Sequence, residues 1–198
     1  MLNSKNKIII ERIQWQAVKT ARSPYGLWGL GFISFIESAL MVPIITDPFL
    51  VAYIIAHKKK AIVGVVFTTL ASVLGGITAY VFAVGFFDMM APFLSTGHIE
   101  QVYSFAERFQ EGTFILTLLG AITPVPYTLV ALAAGFVHGN FILFVLATVI
   151  GRGLRYVLVG YLTYYFGERG MVLIKKNLFW TSIILFAAVA TYILIKML

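Results

Sequence analysis

Long apolar stretches are the feature of this sequence that most constrains its fold. Hydrophobic residues make up 60% of the 198 residues and charged residues 12%, whereas a soluble domain carries about 25% charged residues. One core cannot enclose so much apolar surface, so a lipid bilayer is the expected solvent. The sequence therefore predicts an all-α integral membrane protein. Its apolar blocks lie at roughly 25–56, 61–87, 113–166 and 178–195.

The charged and reactive residues exclude several classes of protein. The net charge is +7, but the Lys and Arg residues stand beside apolar blocks, as membrane anchors do. No nucleic-acid-binding motif is present, and the absence of cysteine excludes disulfides and thiol chemistry. We predict no metal, no cofactor, no catalytic residue and no nucleic-acid partner. A lipid phosphatase is disfavoured because no nucleophile set is clustered, whereas a non-catalytic scaffold stays open.

Three segments follow from this pattern. Residues 1–24 are basic and moderately amphipathic and lack a signal-peptide pattern, which indicates an interfacial helix or, alternatively, a partly disordered tail. Residues 25–167 form the predicted membrane domain. Residues 168–198 contain a predicted C-terminal spanning helix.

The first apolar block is too short to cross the bilayer twice. It runs over residues 25–56, whereas one crossing needs about 20 residues and two need about 40 with a turn. Basic residues precede the block and Lys58–Lys60 follow it, so both ends are expected in the cytoplasm. We therefore predict a re-entrant helical hairpin whose tip includes Pro43 and Pro48.

A second hairpin is predicted from the opposite side. An acidic, exterior loop precedes residues 113–139, which are interrupted by Thr123, Pro124 and Pro126. Residues 61–87 and 141–166 would each follow a hairpin as a spanning helix. The prolines remove backbone donors, and such breaks are tolerated in a membrane only inside protein or beside a wet cavity. A simple kink buried in lipid is the alternative.

The two halves also resemble each other in sequence. Pro43 to His57 can be laid on Pro124 to His138 without a gap, and Ala71–Gly75 match Ala147–Gly151 with Tyr80 on Tyr156. Units that enter the membrane from opposite faces form an inverted repeat, which is a common plan of secondary transporters. Helix ends exposed between the two tips could hold an anion.

Four charged residues fall within the apolar segments: Glu37, Asp47, Arg152 and Arg155. A charge at the centre of a membrane helix costs about 2.5–3.5 kcal/mol, so these residues need partners. Arg152 and Arg155 share one helix face, and we expect the four to meet at the cavity. The arginines would bind an anionic head group, and the acids would bind protons or act as gates. A static ion-pair network is the alternative.

Glu37, Pro43, Asp47, Ala133-Ala134-Gly135 and Gly151-Arg152 follow one another in this order along the chain. This order resembles the DedA family, also called the SNARE-associated or VTT-domain family. The resemblance covers roughly residues 25–167 and looks closest to the YqaA-like branch. It implies bacterial inner-membrane proteins with two opposed re-entrant hairpins, which move lipids such as undecaprenyl phosphate between leaflets and depend on the proton gradient. Glu37 and Asp47 would match the family's essential acids.

One departure from the family pattern affects the substrate. Many members carry an Arg-Phe-x-Pro pattern and a second Arg in the second hairpin, where this chain has Ala121–Pro124 and Tyr127-Thr128. Arg152 and Arg155 would then contact the head group instead. The leading hypothesis is a transporter of an anionic lipid, to which protons can couple. The alternative is a proton-coupled antiporter of a small solute or cation, and the oligomeric state stays open, a homodimer included.

Overall fold

The computed structural model describes residues 21–40, 46–93, 112–123 and 126–167, which are almost entirely helical and contain no β-strand. The predicted all-helical class is thereby confirmed. Most of the N-terminal segment 1–24 and all of segment 168–198 lie outside the described residues. So do two of the predicted tip residues, Pro43 and Pro124.

Six α-helices make up the described part of the chain, and two of them are long. The long helices, α3 and α6, have 30 and 26 residues and so measure about 45 Å and 39 Å. Both are long and apolar enough to cross a bilayer. The others are too short to span about 30 Å of hydrocarbon. The bounds are α1 Gly26–Ala39, α2 Asp47–Ala56, α3 Ala61–Met90, α4 Gly112–Ile122, α5 Tyr127–Phe136 and α6 Phe141–Phe166, with 3₁₀ turns at Lys58–Lys60 and Ala91–Phe93.

Two of the described prolines, Pro48 and Pro126, stand at helix starts. Pro48 lies in the first turn of α2, where its missing N–H has no helical partner to lose. Pro126 immediately precedes α5. The long helix α6 begins differently, because the Asn140 side chain accepts a hydrogen bond from the Leu143 N–H at 3.0 Å.

Many large apolar side chains lie on the surface of the helices, and several polar side chains are buried inside. Ile62, Leu74 and Leu154 are exposed, whereas Ser72 and Arg152 are buried. A soluble protein rarely exposes large contiguous apolar patches. Together with the two long apolar helices, this distribution indicates that the protein lies in a membrane.

Small residues allow the helices to approach closely. A Cβ added at Gly75 on α3 would collide with the Phe35 carbonyl oxygen and the Ser38 side chain of α1. On the next face of α3, Gly76 lies against the Tyr127 ring of α5. Gly151 on α6 lies against α4, where an added Cβ would be 2.6 Å from the Ala121 Cβ. Such contacts are the usual basis of helix packing in membranes.

Two clusters of buried apolar residues lie on either side of the middle of α6. The first cluster includes Leu50, Ile54, Val65, Tyr156 and Val159. The second includes Ala79, Tyr80, Tyr127, Ala134 and Phe144. The charged residues predicted from the sequence lie where these two clusters meet.

Candidate functional site

The structure brings the four charged residues together as two ion pairs. Arg152 Nη1 lies 3.5 Å from Glu37 Oε1, and Arg155 Nη2 lies 2.5 Å from Asp47 Oδ2. The exposed fraction of the side chains is 1% for Arg152, 14% for Glu37, 10% for Arg155 and 18% for Asp47. Both ion pairs join α6 to one of the first two short helices, α1 and α2. They therefore connect residues more than 100 positions apart in sequence.

Glu37 lies in the last turn of α1, where the helix dipole disfavours a negative charge. Its Oε2 accepts hydrogen bonds from the backbone N–H of Thr46, at 3.0 Å, and from the Thr46 hydroxyl. Thr46 immediately precedes α2. The carboxylate therefore links the end of α1 to the beginning of α2 while its other oxygen faces Arg152.

Arg152 is the most completely enclosed of the charged groups. In addition to Glu37, its guanidinium donates to the Tyr156 hydroxyl at 3.3 Å and to Ser38 Oγ at 3.2 Å. Its Cζ lies 4.4 Å from the centre of the Tyr127 ring, in the geometry of a cation–π contact. These partners come from α1, α5 and α6. Arg152 therefore connects the first two short helices, α1 and α2, with the second two, α4 and α5.

Arg155 lies one turn further along α6 and bridges two helix ends. Besides Asp47, it donates to the Thr123 carbonyl at 3.0 Å, just after the end of α4. Asp47 is the first residue of α2, and a carboxylate is favoured there by the helix dipole. The helix dipole therefore stabilises the carboxylate of Asp47 and destabilises that of Glu37. Glu37 consequently depends more strongly on its neighbouring cation.

Three polar atoms of the site are buried without a hydrogen-bond partner among the described residues. They are Asp47 Oδ1 and the Nε atoms of Arg152 and Arg155. Such groups are rare in native proteins because each unpaired buried atom costs free energy. The site therefore retains one acceptor and two donors that a bound molecule or water can use.

Buried hydroxyl groups surround the ion pairs. Ser38 and Ser72 share a hydrogen bond at 2.7 Å, and Tyr127 and Thr148 share one at 2.5 Å. Thr128 donates to the carbonyl oxygens of Glu37 and Leu40 at 2.6 and 3.1 Å, which satisfies the end of α1. A polar environment of this kind lowers the free-energy cost of holding charges inside a membrane.

Sequence reasoning named the charged residues but missed several of their partners. Thr46, Ser38, Tyr127 and Thr128 were not predicted as site residues. One signal was available, since Ser34 and Ser38 are polar, lie four residues apart on an apolar helix and flank Glu37. Nothing in the sequence indicates that Tyr127 stacks on Arg152, because this contact depends on where tertiary packing places the start of α5.

The structure describes three of the five predicted tip residues, Pro48, Thr123 and Pro126. Thr123 is buried and contributes its carbonyl to Arg155, and Pro48 and Pro126 stand at helix starts. Pro43 and Pro124 lie outside the described residues. In the described ranges, no group of three or more His, Asp or Glu side chains is arranged to hold a metal ion.

Comparison with known proteins gives a family but no characterised relative. The chain is 27% identical over 184 residues to an uncharacterised protein of Haemophilus influenzae, covering 90% of this chain and 94% of that one. It is 26% identical over 188 residues to an uncharacterised protein of Histophilus somni, covering 93% and 94% of the two chains. No solved structure matches the chain. The sequence profile of the VTT domain matches residues 42–165, so the chain belongs to the VTT-domain (DedA) family of membrane proteins.

Proposed function

We propose that this protein moves an anionic lipid, such as undecaprenyl phosphate or a phospholipid, between the leaflets of the bacterial inner membrane. Family membership indicates a role related to membrane transport. The observation that carries the proposal is the two largely buried ion pairs formed by Glu37, Asp47, Arg152 and Arg155, beside polar atoms that lack partners among the described residues. A purely structural network would be expected to satisfy those atoms.

Two re-entrant hairpins, α1–α2 and α4–α5, form the central cavity in this proposal. The short lengths of these helices support it, because none of them can cross the hydrocarbon layer alone. The contacts of Arg155 with Asp47 at the start of α2 and with Thr123 at the end of α4 support it as well. In transporters with inverted repeats, substrate sites lie where such broken helices meet.

The chemistry of the two arginines suits a phosphate group. A guanidinium forms paired hydrogen bonds with phosphate oxygens, and Arg152 and Arg155 lie on one face of α6 with free Nε donors. The two acids and two bases of the site balance each other in charge. When a monoanion binds, uptake of one proton by Glu37 or Asp47 keeps the total charge unchanged. Proton coupling follows from this balance, because an uncompensated charge in the membrane is costly.

Reconstitution into liposomes tests the proposal. The purified chain should accelerate the transfer of a fluorescent prenyl phosphate or phosphatidylglycerol between leaflets, and an imposed pH gradient should change the rate. Glu37→Gln and Arg152→Lys should each reduce transfer about tenfold or more, since each removes a charge or a paired hydrogen-bond geometry. Asp88→Asn, which removes an exposed acid on α3, is the matched control and should transport normally.

The result that contradicts this proposal is equally specific. Correctly inserted Glu37→Gln and Arg152→Lys proteins that transfer lipid at the normal rate would leave the ion pairs with a structural role only. Absence of transfer with every anionic lipid would also reject the proposal.

The second candidate is a proton-coupled antiporter of a small solute or cation. It is favoured by the unpaired Asp47 Oδ1, because carboxylate oxygens are the preferred ligands of hard cations. A pH-sensitive dye inside the same liposomes separates the two functions. Cation-dependent proton flux without lipid transfer, lost in Asp47→Asn, would favour the antiporter.

A further inference from the structure

A second feature of the molecule lies on the outer side of α3 and α6, away from the ion pairs. An open groove of about 430 Å³ runs between the beginning of α3 and the end of α6. Apolar side chains line most of it, including Ile62 and Val66 from α3 and Val157 from α6. Its floor is formed by Val65 and Gly160, which are buried against each other. Because its walls are exposed apolar residues of two spanning helices, the groove opens toward lipid.

Polar groups stand at one end of the groove only. Lys58 and Lys59 line that end, are exposed, and form no ion pair with any described residue. Tyr161 and Tyr164 from the last turns of α6 lie beside the groove, in the position that tyrosines take at a membrane interface. The end with the two lysines is thus positive and wet, and the remainder is apolar.

The dimensions fit one lipid chain in one leaflet. The lining residues run from Lys58, in the 3₁₀ turn, to Val66 on α3, a distance of about 12–14 Å along the helix axis. One leaflet contributes about 15 Å of hydrocarbon. Clusters of lysines beside a spanning helix lie on the cytoplasmic side, where anionic lipids attract them. Both the length and the position of the charge therefore match a lipid of the cytoplasmic leaflet.

We propose that this groove is a binding site for an anionic phospholipid, with its phosphate on Lys58 and Lys59 and one acyl chain between α3 and α6. The site is separate from the ion pairs, because Val157, Tyr161 and Tyr164 share the outward face of α6 whereas Arg152 and Tyr156 are buried on the other. Binding here does not depend on lipid transfer. The lipid in this groove remains bound to the protein and is not the transported molecule.

Native mass spectrometry of the purified full chain tests this site. The protein is released from micelles that contain phosphatidylglycerol and phosphatidylcholine with identical acyl chains. Phosphatidylglycerol should remain bound, and Lys58→Gln or Lys59→Gln should each weaken its binding about fivefold, the effect of one cation near a lipid phosphate. Lys60→Gln removes the same charge from the same turn, but Lys60 does not line the groove. The affinity of this variant for phosphatidylglycerol should therefore stay within about twofold of that of the unaltered chain.

The apolar part of the site has its own matched pair of variants. Val66 lines the groove and is 50% exposed, whereas Val63 does not line it and is 49% exposed on the same helix. Val66→Trp should fill the groove and weaken phosphatidylglycerol binding at least as much as Lys58→Gln, and Val63→Trp should not. Glu37→Gln should retain the lipid, which separates this site from the proposed transport function.

Three results would overturn the proposal. Equal retention of phosphatidylcholine would show that the lysines do not select the lipid. An equal loss in Lys60→Gln would reduce the effect to general surface charge. Unchanged binding in Val66→Trp would place the lipid elsewhere, for example because another segment of this chain fills the groove.

Discussion

The two halves of the described structure, α1–α3 and α4–α6, have the same order of elements. Each has two short helices followed by a long one. Each long helix uses a glycine to approach the first short helix of its own half, Gly75 against α1 and Gly151 against α4. These glycines are also the positions that the sequence comparison of the halves lays on each other.

The halves differ in their charges. In the register that lays Pro43 on Pro124, Asp47 falls on Thr128, and in the register that lays Tyr80 on Tyr156, Arg152 falls on Gly76. In the same register, Arg155 falls on Ala79. The first half therefore supplies the acids of the site and the second half supplies the bases. Neither half can neutralise the charges that it contributes to the site, so the site exists only when both halves are assembled, and the described residues form one such site.

The largest expected effect comes from removing one side of this complementarity. Arg152→Met leaves Glu37 partly buried at the dipole-disfavoured end of α1, without its cation. Loss of one partner of a buried ion pair costs about 3–5 kcal/mol. The double variant Glu37→Gln/Arg152→Met should recover a substantial part of this loss, because neither charge is then unpaired. Equilibrium unfolding in mixed micelles measures both quantities.

A distant pair provides the control for this cycle. His138 pairs with Asp88 near the far end of α3, about 20 Å along the helix from the glycine that packs beside Glu37. Glu37→Gln and His138→Ala should therefore be additive within about 0.5 kcal/mol. If the effects of Glu37→Gln and Arg152→Met on the free energy of unfolding were also additive, the ion pair between the two halves would not contribute to stability.

A smaller effect is expected where the halves are alike. Gly75→Ala and Gly151→Ala should each lower the free energy of unfolding by about 1–3 kcal/mol, because an added methyl group overpacks the helix contact. Gly75 should be the more sensitive, since the nearest atom is a backbone oxygen of α1 that cannot rotate away. The control is Gly85→Ala on α3, where, apart from the adjoining residues of the helix itself, no described residue lies within 4 Å of the added Cβ.

The Gly85→Ala protein should be as stable as the unaltered one or slightly more so, because alanine favours the helix. Thermal unfolding in detergent, followed by the loss of the monodisperse species, is a sufficient measurement. Equal effects at all three glycines would mean that the close approach is unimportant for both halves.

The sequence was most informative where the membrane itself imposes the rule. The bounds of α6 were predicted as 141–166 and are Phe141–Phe166, because an apolar run between Asn140 and Gly167 has one stable form in lipid. The need of the charged residues for partners followed from the same rule. The choice of partners did not, since Arg152 and Arg155 share a face and either could meet Glu37. That choice depends on the packing of α1 and α2 against α6.

Contacts between aromatic and polar side chains could not be predicted from the sequence either. The contact of the Tyr127 ring with the Arg152 guanidinium requires the start of α5 to lie level with Arg152 on α6. The bonds from Thr128 to the end of α1 require the two helix pairs to meet. Both are consequences of the arrangement of the halves, which periodicity and charge pattern do not encode. The inverted repeat and the re-entrant path of the hairpins stay predictions.

The smallest expected effect distinguishes two histidines that the sequence comparison treats as equivalent. His57 ends α2 with φ −137, whereas His138 follows α5 with φ 50. The Gly139 N–H bonds to the Ala134 carbonyl at 2.8 Å and the His138 N–H to the Gly135 carbonyl at 3.0 Å, which is the helix end that usually contains glycine. A side chain in this left-handed conformation costs about 1 kcal/mol.

Glycine and alanine variants at both positions isolate that cost, because both remove the imidazole and differ only in the Cβ. At position 138 the His138→Gly protein should be more stable than the His138→Ala protein by about 1 kcal/mol. At position 57 the order should reverse, since glycine there only adds entropy to the unfolded chain. Unfolding midpoints of the four proteins under identical conditions give the comparison, and the same sign at both positions would mean that the two helix ends do not differ in backbone conformation.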